Sequence, residues 1–343
     1  MWNMVTVVCV GALLLLYVFH WRSHRTGSTP ISRHDSVFAH LPPGVIPGDP
    51  NAPIRKATSA DVKAPLAVRF EPPQGVRPEQ VGMLVDGKVQ ASDIAAAVLD
   101  LTVRGIIRLT PEVRIHGLRR RLTRDWLVTV LRQPHPQEVS ALQHQLLRAF
   151  AWFSRPATLH QLRPALKLAM KEMRETLAGD PANDAWYPGH EEGSLTFGAM
   201  FGAGYRKRSA LGAALRYQSA GFREFLATAD GDRFRFEAGA GMFSRHLPWA
   251  VAYGVTHQWV HAFREAAEDA PASVATTWSG DLAWFADFSG ADFSALADLG
   301  DSIGDLADGI GDLASDLTSG MDDAGGDGDG GGGDGGGDGG GGD

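Results

Sequence analysis

Apolar residues dominate the chain from Met1 to Trp21, with no ionised side chain before Arg22 and only Thr6 and Gly11 interrupting Val5 to Phe19. At about 1.5 Å per residue, some 20 such residues cross a hydrocarbon core of about 30 Å, so the pattern predicts a single N-terminal transmembrane helix over 1–21. A cleaved signal peptide fits less well. Nothing positive precedes the run, and WRSHRTGS follows it where an Ala-x-Ala site would stand. Trp2 and Trp21 suit the two interfaces, while Arg22, Arg25 and Arg33 all follow the span. The positive-inside bias then predicts a single-pass protein of the plasma membrane with its C-terminal region in the cytoplasm.

Residues 22–65 lose this periodicity and carry Pro30, Pro42, Pro43, Pro47, Pro50, Pro53 and Pro65, the composition of an extended, poorly ordered linker. Short alternating elements fill 66–134. Pro78 opens a helix that Gly87 ends, and Ser92 or Asp93 caps a second in which Ile94, Ala97, Val98 and Leu101 recur at helical spacing before Gly105. Ile106 to Thr110 and Trp126 to Leu131 read as strands around the loop PEVRIHGLRRRLTRD. Two helices followed by a hairpin with a basic tip is a winged-helix-like order.

Region 135–270 is helical. Val139, Leu142, Leu146, Phe150 and Phe153 form one stripe, and Leu162, Leu166, Met170, Met173 and Leu177 form another. A loop-rich stretch over 180–208 separates them from a last helical pair, about Ser209 to Ala229 and His246 to Ala270, with Pro271 as the stop. An acidic amphipathic segment, 271–323, leads to a disordered Gly/Asp-rich C-terminal tail, 324–343. The fold class expected is therefore mainly α with a small α+β winged-helix-like module, between a membrane span and a disordered tail.

Charge changes this picture more than composition does. The chain holds 32 basic and 40 acidic residues, a net of -8, yet 281–343 alone contains 16 Asp and no Glu, Lys or Arg. By subtraction 1–280 has 24 acidic residues against all 32 basic ones, so a body of +8 carries a tail of -16. One cysteine, Cys9, excludes an internal disulfide scaffold.

Four strings in order, FEPPQGVRPEQVGML, AAAVLDLTVRGIIRL, SAGFREFLATADGDRFRF and LPWAVAYGVTHQWVHAF, resemble the cytoplasmic part of the YciQ-like predicted membrane proteins, a family of unknown function. The matching stretches are Pro78 to Gly82, the Asp-Leu-x-x-Arg-Gly turn from Asp100 to Gly105, Gly221 to Leu226, and Leu247 to Ala250. The resemblance covers about 66–270 plus the glycine-rich end, and implies a bacterial membrane protein. It implies no catalytic residues. Family members generally begin with a signal peptide and an extracytoplasmic β-rich domain, and here an apolar run starts at residue 1 instead.

Candidate chemistry is concentrated in Arg114, Arg119, Arg120, Arg121 and Arg124 on the proposed wing. Residues 104–133 carry eight Arg against Glu112 and Asp125. Such a wing suits anionic lipid headgroups at the bilayer, each basic residue contributing about 1 kcal/mol near the surface, or another protein, or the chain's own tail. Nucleic acid is the alternative partner. Against it, the helix that would read bases offers Asp93, Asp100 and alanines where Arg, Lys, Asn or Gln are wanted.

His257 and His261, four residues apart, are weak metal candidates with only Glu265 along the same face. His190, Glu191 and Glu192 read as a charged loop. No nucleophile elbow, phosphate loop or CxxC pair is present, so neither an enzyme nor a cofactor is expected. Leu299, Ile303, Leu306, Ile310, Leu313 and Leu317, spaced 4, 3, 4, 3, 4, form a partner-helix seam that Gly300, Gly304, Gly309 and Gly311 weaken. The functional expectation is a membrane-tethered cytoplasmic interaction or regulatory scaffold. A membrane-anchored nucleic-acid-binding regulator and a metal-dependent enzyme are the alternatives.

Overall fold

The structure, a computed structural model, describes residues 30–87, 90–116, 121–151, 155–162, 185–188, 207–229 and 239–268, with isolated positions between 164 and 176. Strands β1 (Ser36–Phe38) and β2 (Ile54–Lys56) pair antiparallel, and a short helix α1 (Ser59–Val62) follows. A 3-10 turn at Pro78–Gln80 runs into α2 (Val81–Asp86), which ends on Gly87 at φ +68°. Next come α3 (Ala91–Val103), the hairpin β3 (Ile107–His116) and β4 (Arg121–Val130), and α4 (Ala141–Ala151). Strand β5 (Ala157–Thr158) adds to β4, giving the sheet order β3-β4-β5. The chain closes with α5 (Ala210–Thr228), α6 (Gly239–Ala252) and α7 (Thr256–Glu268).

The expected fold class needs correction at its N-terminal end. Among the described residues there are helical segments and two small sheets, and no helix is long and apolar enough to cross a membrane, so a single N-terminal transmembrane helix is not supported. The longest of the described helices, α5 at 19 residues, carries Arg216, Arg223 and Glu224 and buries its apolar side chains in the core, which rules it out as a span. Residues 1–21, the seam from Leu299 to Leu317 and the Gly/Asp tail lie outside the described residues. So do Cys9, His190, Glu191 and Glu192.

Two glycines stop helices as the apolar pattern requires. At the end of α3 the amide of Ile106 donates to Leu101 and that of Gly105 to Thr102, with Gly105 at φ +63°. The same pair of bonds, Val255 to Ala250 and Gly254 to Val251, ends α6. Both are Schellman closures, in which glycine takes the left-handed conformation that side chains resist and the next apolar residue tucks back on the helix. The single helix expected from His246 onward is thereby split into α6 and α7. The hairpin departs in the opposite sense: alternation of Val113, Ile115 and Leu122 with polar residues carries strand pairing through most of the expected loop.

Most of the core is one cluster formed by α2, α3, the base of the hairpin, α4 and α5–α7, with Leu84, Leu99, Leu101, Ile106, Phe222 and Trp259 fully buried. A smaller one joins Ile31, Val37 and Ala57 to Ala213 and Tyr217 of α5. That second cluster is where the proline-rich stretch differs most from its expectation. Instead of a loose linker, residues 30–70 run along α5: Gln218 Nε2 donates to the Gly44 carbonyl at 2.7 Å, the Tyr217 hydroxyl to that of Pro65, and the Arg69 amide donates to Gly221 at 3.2 Å. Proline-locked φ angles lower the entropy lost on laying such a strap down.

Candidate functional site

The third strand beside the arginine-bearing hairpin is short. Strand β5 meets β4 only at Leu127 and Val128, so beyond Asp125 the described part of the hairpin is two-stranded. In its register Arg114 pairs with Thr123, His116 with Arg121, and Val113 with Arg124. Arg119 and Arg120 lie outside the described residues. At the hairpin's base Asp125 is buried, its Oδ1 accepting from the amides of Trp126 at 2.9 Å and His160 at 3.4 Å. The arm is thus fixed at its root.

Behind the hairpin a polar junction ties α3 to α4. Asp100 accepts from Arg104 at 3.1 Å and from Gln143 Nε2 at 2.7 Å. Arg104 also donates to the Glu138 carbonyl, and Glu138 receives Arg132, whose two nitrogens hold its carboxylate in a fork. The Arg132 hydrogen bond holds the Glu138 carboxyl down at about 2. Ser140 and Gln143 cap one another across the start of α4, each main-chain N–H donating to the other's side-chain oxygen at 3.1 Å.

Against this junction lies Glu79, which is 1% exposed. Burial pushes its carboxyl up, and the charge of Asp100 pushes the same way; Ser140 is close enough to oppose the shift, yet neither carboxylate oxygen meets a donor in hydrogen-bonding geometry. An isolated buried carboxylate is costly, so burial favours the protonated form.

A third buried group is the imidazole of His246 on α6. It is fully enclosed, with ring centroids of Phe222, Trp259 and Phe225 at 5.2, 5.7 and 6.2 Å, and neither nitrogen has a hydrogen-bond partner. Burial, helped by the Arg245 charge, lowers its pKa to about 4. Nearby, the Tyr253 and Ser219 hydroxyls meet at 2.8 Å, and burial pushes the Tyr253 phenol upward. Glu79 and His246 are both buried. The cavity beside Gly44 is small and lined chiefly by Ile31, Val37, Leu41, Pro42 and Pro43, with Asp61 at its edge held in a bidentate pair by Arg55 at 2.6 and 2.8 Å.

His257 and His261 are exposed on α7, with His261 Nδ1 at 3.6 Å from Glu265 Oε2. Among the described residues no group of three metal-binding side chains converges. Sequence reasoning missed Glu79 and His246, because a lone Glu or His carries no mark of its burial. The Asp100–Arg104 link was visible as the Asp-Leu-x-x-Arg-Gly turn, and its work is to hold α3 to the start of α4. No protein-family model, curated protein or solved structure matches the chain.

Proposed function

We propose that the protein is a non-catalytic interaction or regulatory scaffold, whose helical body presents the β3–β4 arm to an anionic surface. The observation that carries this is the arm itself: a rooted hairpin whose outer half pairs with nothing else among the described residues and bears Arg114, Arg121 and Arg124 in register. The half-buried ionisable groups behind the arm support the same reading, since Asp100, Arg104 and Glu138 are engaged in holding helices together. Anionic lipid headgroups are the proposed surface, with the resemblance to the YciQ-like membrane proteins pointing the same way.

The test is sedimentation of the full chain with vesicles with and without phosphatidylserine. Binding that needs phosphatidylserine, weakens with salt and is lost in Arg119, Arg120 and Arg121→Ala supports the proposal. Equal binding by that variant removes it. Salt-dependent capture of duplex DNA in place of vesicles would select the nucleic-acid alternative.

A further inference from the structure

Residues Leu66, Val68 and Phe70 form an exposed apolar strip, at 36%, 43% and 60% exposure, on the last stretch of the strap where it crosses α5. Among the described residues the strap is hydrogen-bonded there on one side. The Arg69 amide donates to Gly221, and the Ala67 carbonyl lies against Gly221, 2.2 Å from where a Cβ would stand. In an extended chain the intervening residues point their backbone groups the other way, and Leu66, Val68 and Phe70 make no backbone hydrogen bond among the described residues. The Phe70 ring leans edge-on against Phe225 at 5.1 Å and leaves its outer face open. Arg69 lies within the strip, Lys63 stands three residues before Leu66 and Arg223 two residues after Gly221; among the described residues none of the three is in an ion pair, and the Arg69 Nε has no acceptor. Glu71 and Glu224 are the acidic neighbours.

We propose that this strip is the docking site of the chain's own acidic segment Leu299 to Leu317. That segment supplies Leu306, Ile310 and Leu313 for the apolar strip and five aspartates, with no cation, for the three unpaired ones. It is within reach: α7 ends at Glu268, and 31 residues of chain can extend about 100 Å, several times the radius of such a domain. Charge favours it over the body of a second copy, because the body carries +8 and repels its like while the tail carries -16. Tethering also keeps the segment at a high local concentration. The site is separate from the arginine arm, and its occupation does not depend on what the arm binds.

Amide hydrogen exchange on the full chain tests this, comparing wild type with Leu306, Ile310 and Leu313→Ser. The amides of Leu66, Val68 and Phe70 should exchange about tenfold faster in the variant, and faster in wild type at high salt, with α5 protection unchanged. Val68→Ser with Phe70→Ser should free Leu306 and Ile310 reciprocally. Identical exchange of the strip in both chains overturns the proposal. So does protection that rises with protein concentration, which would assign the strip to a second copy.

Discussion

Asp35 and Arg208, 173 residues apart in sequence, are joined twice: the Arg208 amide donates to Asp35 Oδ1 at 3.1 Å, and the guanidinium stands 3.7 Å from Oδ2. Both are buried. The same guanidinium caps the end of α2 by donating to Val85 and lies 5.5 Å from the Tyr187 ring, while the Tyr187 hydroxyl donates to Leu84 at 3.0 Å. A cation at a helix C-terminus is favoured by the exposed carbonyls, so one arginine serves a carboxylate and a helix end together. Removing it takes the Arg208 charge away from a buried carboxylate. Arg208→Met is expected to destabilise by about 3–5 kcal/mol in urea unfolding, and Asp35→Asn with Arg208→Met together by less than the sum.

Gly221 and Gly212 give a prediction of opposite sign to helix propensity. Glycine to alanine inside a helix ordinarily stabilises by about 1 kcal/mol. Here a Cβ at 221 would meet the Ala67 carbonyl at 2.2 Å, and one at 212 the Trp186 carbonyl at 2.6 Å. Both neighbours are backbone and cannot swing aside. Each Gly→Ala is expected to cost about 1–3 kcal/mol in chemical denaturation, and a gain in stability at either site would contradict the close approach.

His246 sets a limit on the acid side. Its folded pKa of about 4 lies below the ordinary value of 6.5, so the unfolded chain binds the proton more readily over that interval. Stability is full above pH 6.5 and falls as pH drops toward 4, by about 3 kcal/mol in all. His246→Leu is expected to flatten that slope in pH-resolved melting curves. An unchanged slope would show that another group governs it.

Glu79 sets the opposing limit. Its carboxyl is raised, so the unfolded chain releases a proton from about pH 4.5 upward while the folded chain holds it to higher pH. Stability from this group falls as pH rises. Glu79→Gln keeps the shape and removes the proton, and it is expected to be more stable than wild type at pH 7 and equal to it at pH 4. Greater wild-type stability at pH 7 would mean that Glu79 is ionised and paired.

Helix periodicity made most of the fold legible. The stripes through Leu142, Leu146 and Phe150 and through Ile94, Val98 and Leu101 correspond to buried faces of α4 and α3, and Gly87 and Gly105 end their helices with positive φ. Prolines misled the reading of 30–65, because a composition poor in regular structure says nothing of what a later helix offers it. In the Gly221 to Leu226 stretch, Gly221 admits the strap, Phe222 and Leu226 fill the core, and Arg223 faces outward. Such strings look like motifs for chemistry and here serve packing. Partners far apart in sequence, such as Asp35 with Arg208, leave no local spacing to find.

The strap has a consequence for how the chain is made. Residues from Ile31 to Phe70 leave the ribosome well before Ala213, Tyr217 and Gly221, against which they rest. At about 5–20 residues per second, the 150-odd residues between them take roughly 10–30 s to synthesise. During that interval the strap has no surface to lie on, so its prolines and sparse apolar side chains keep an early-born segment soluble while it waits for a late-born helix.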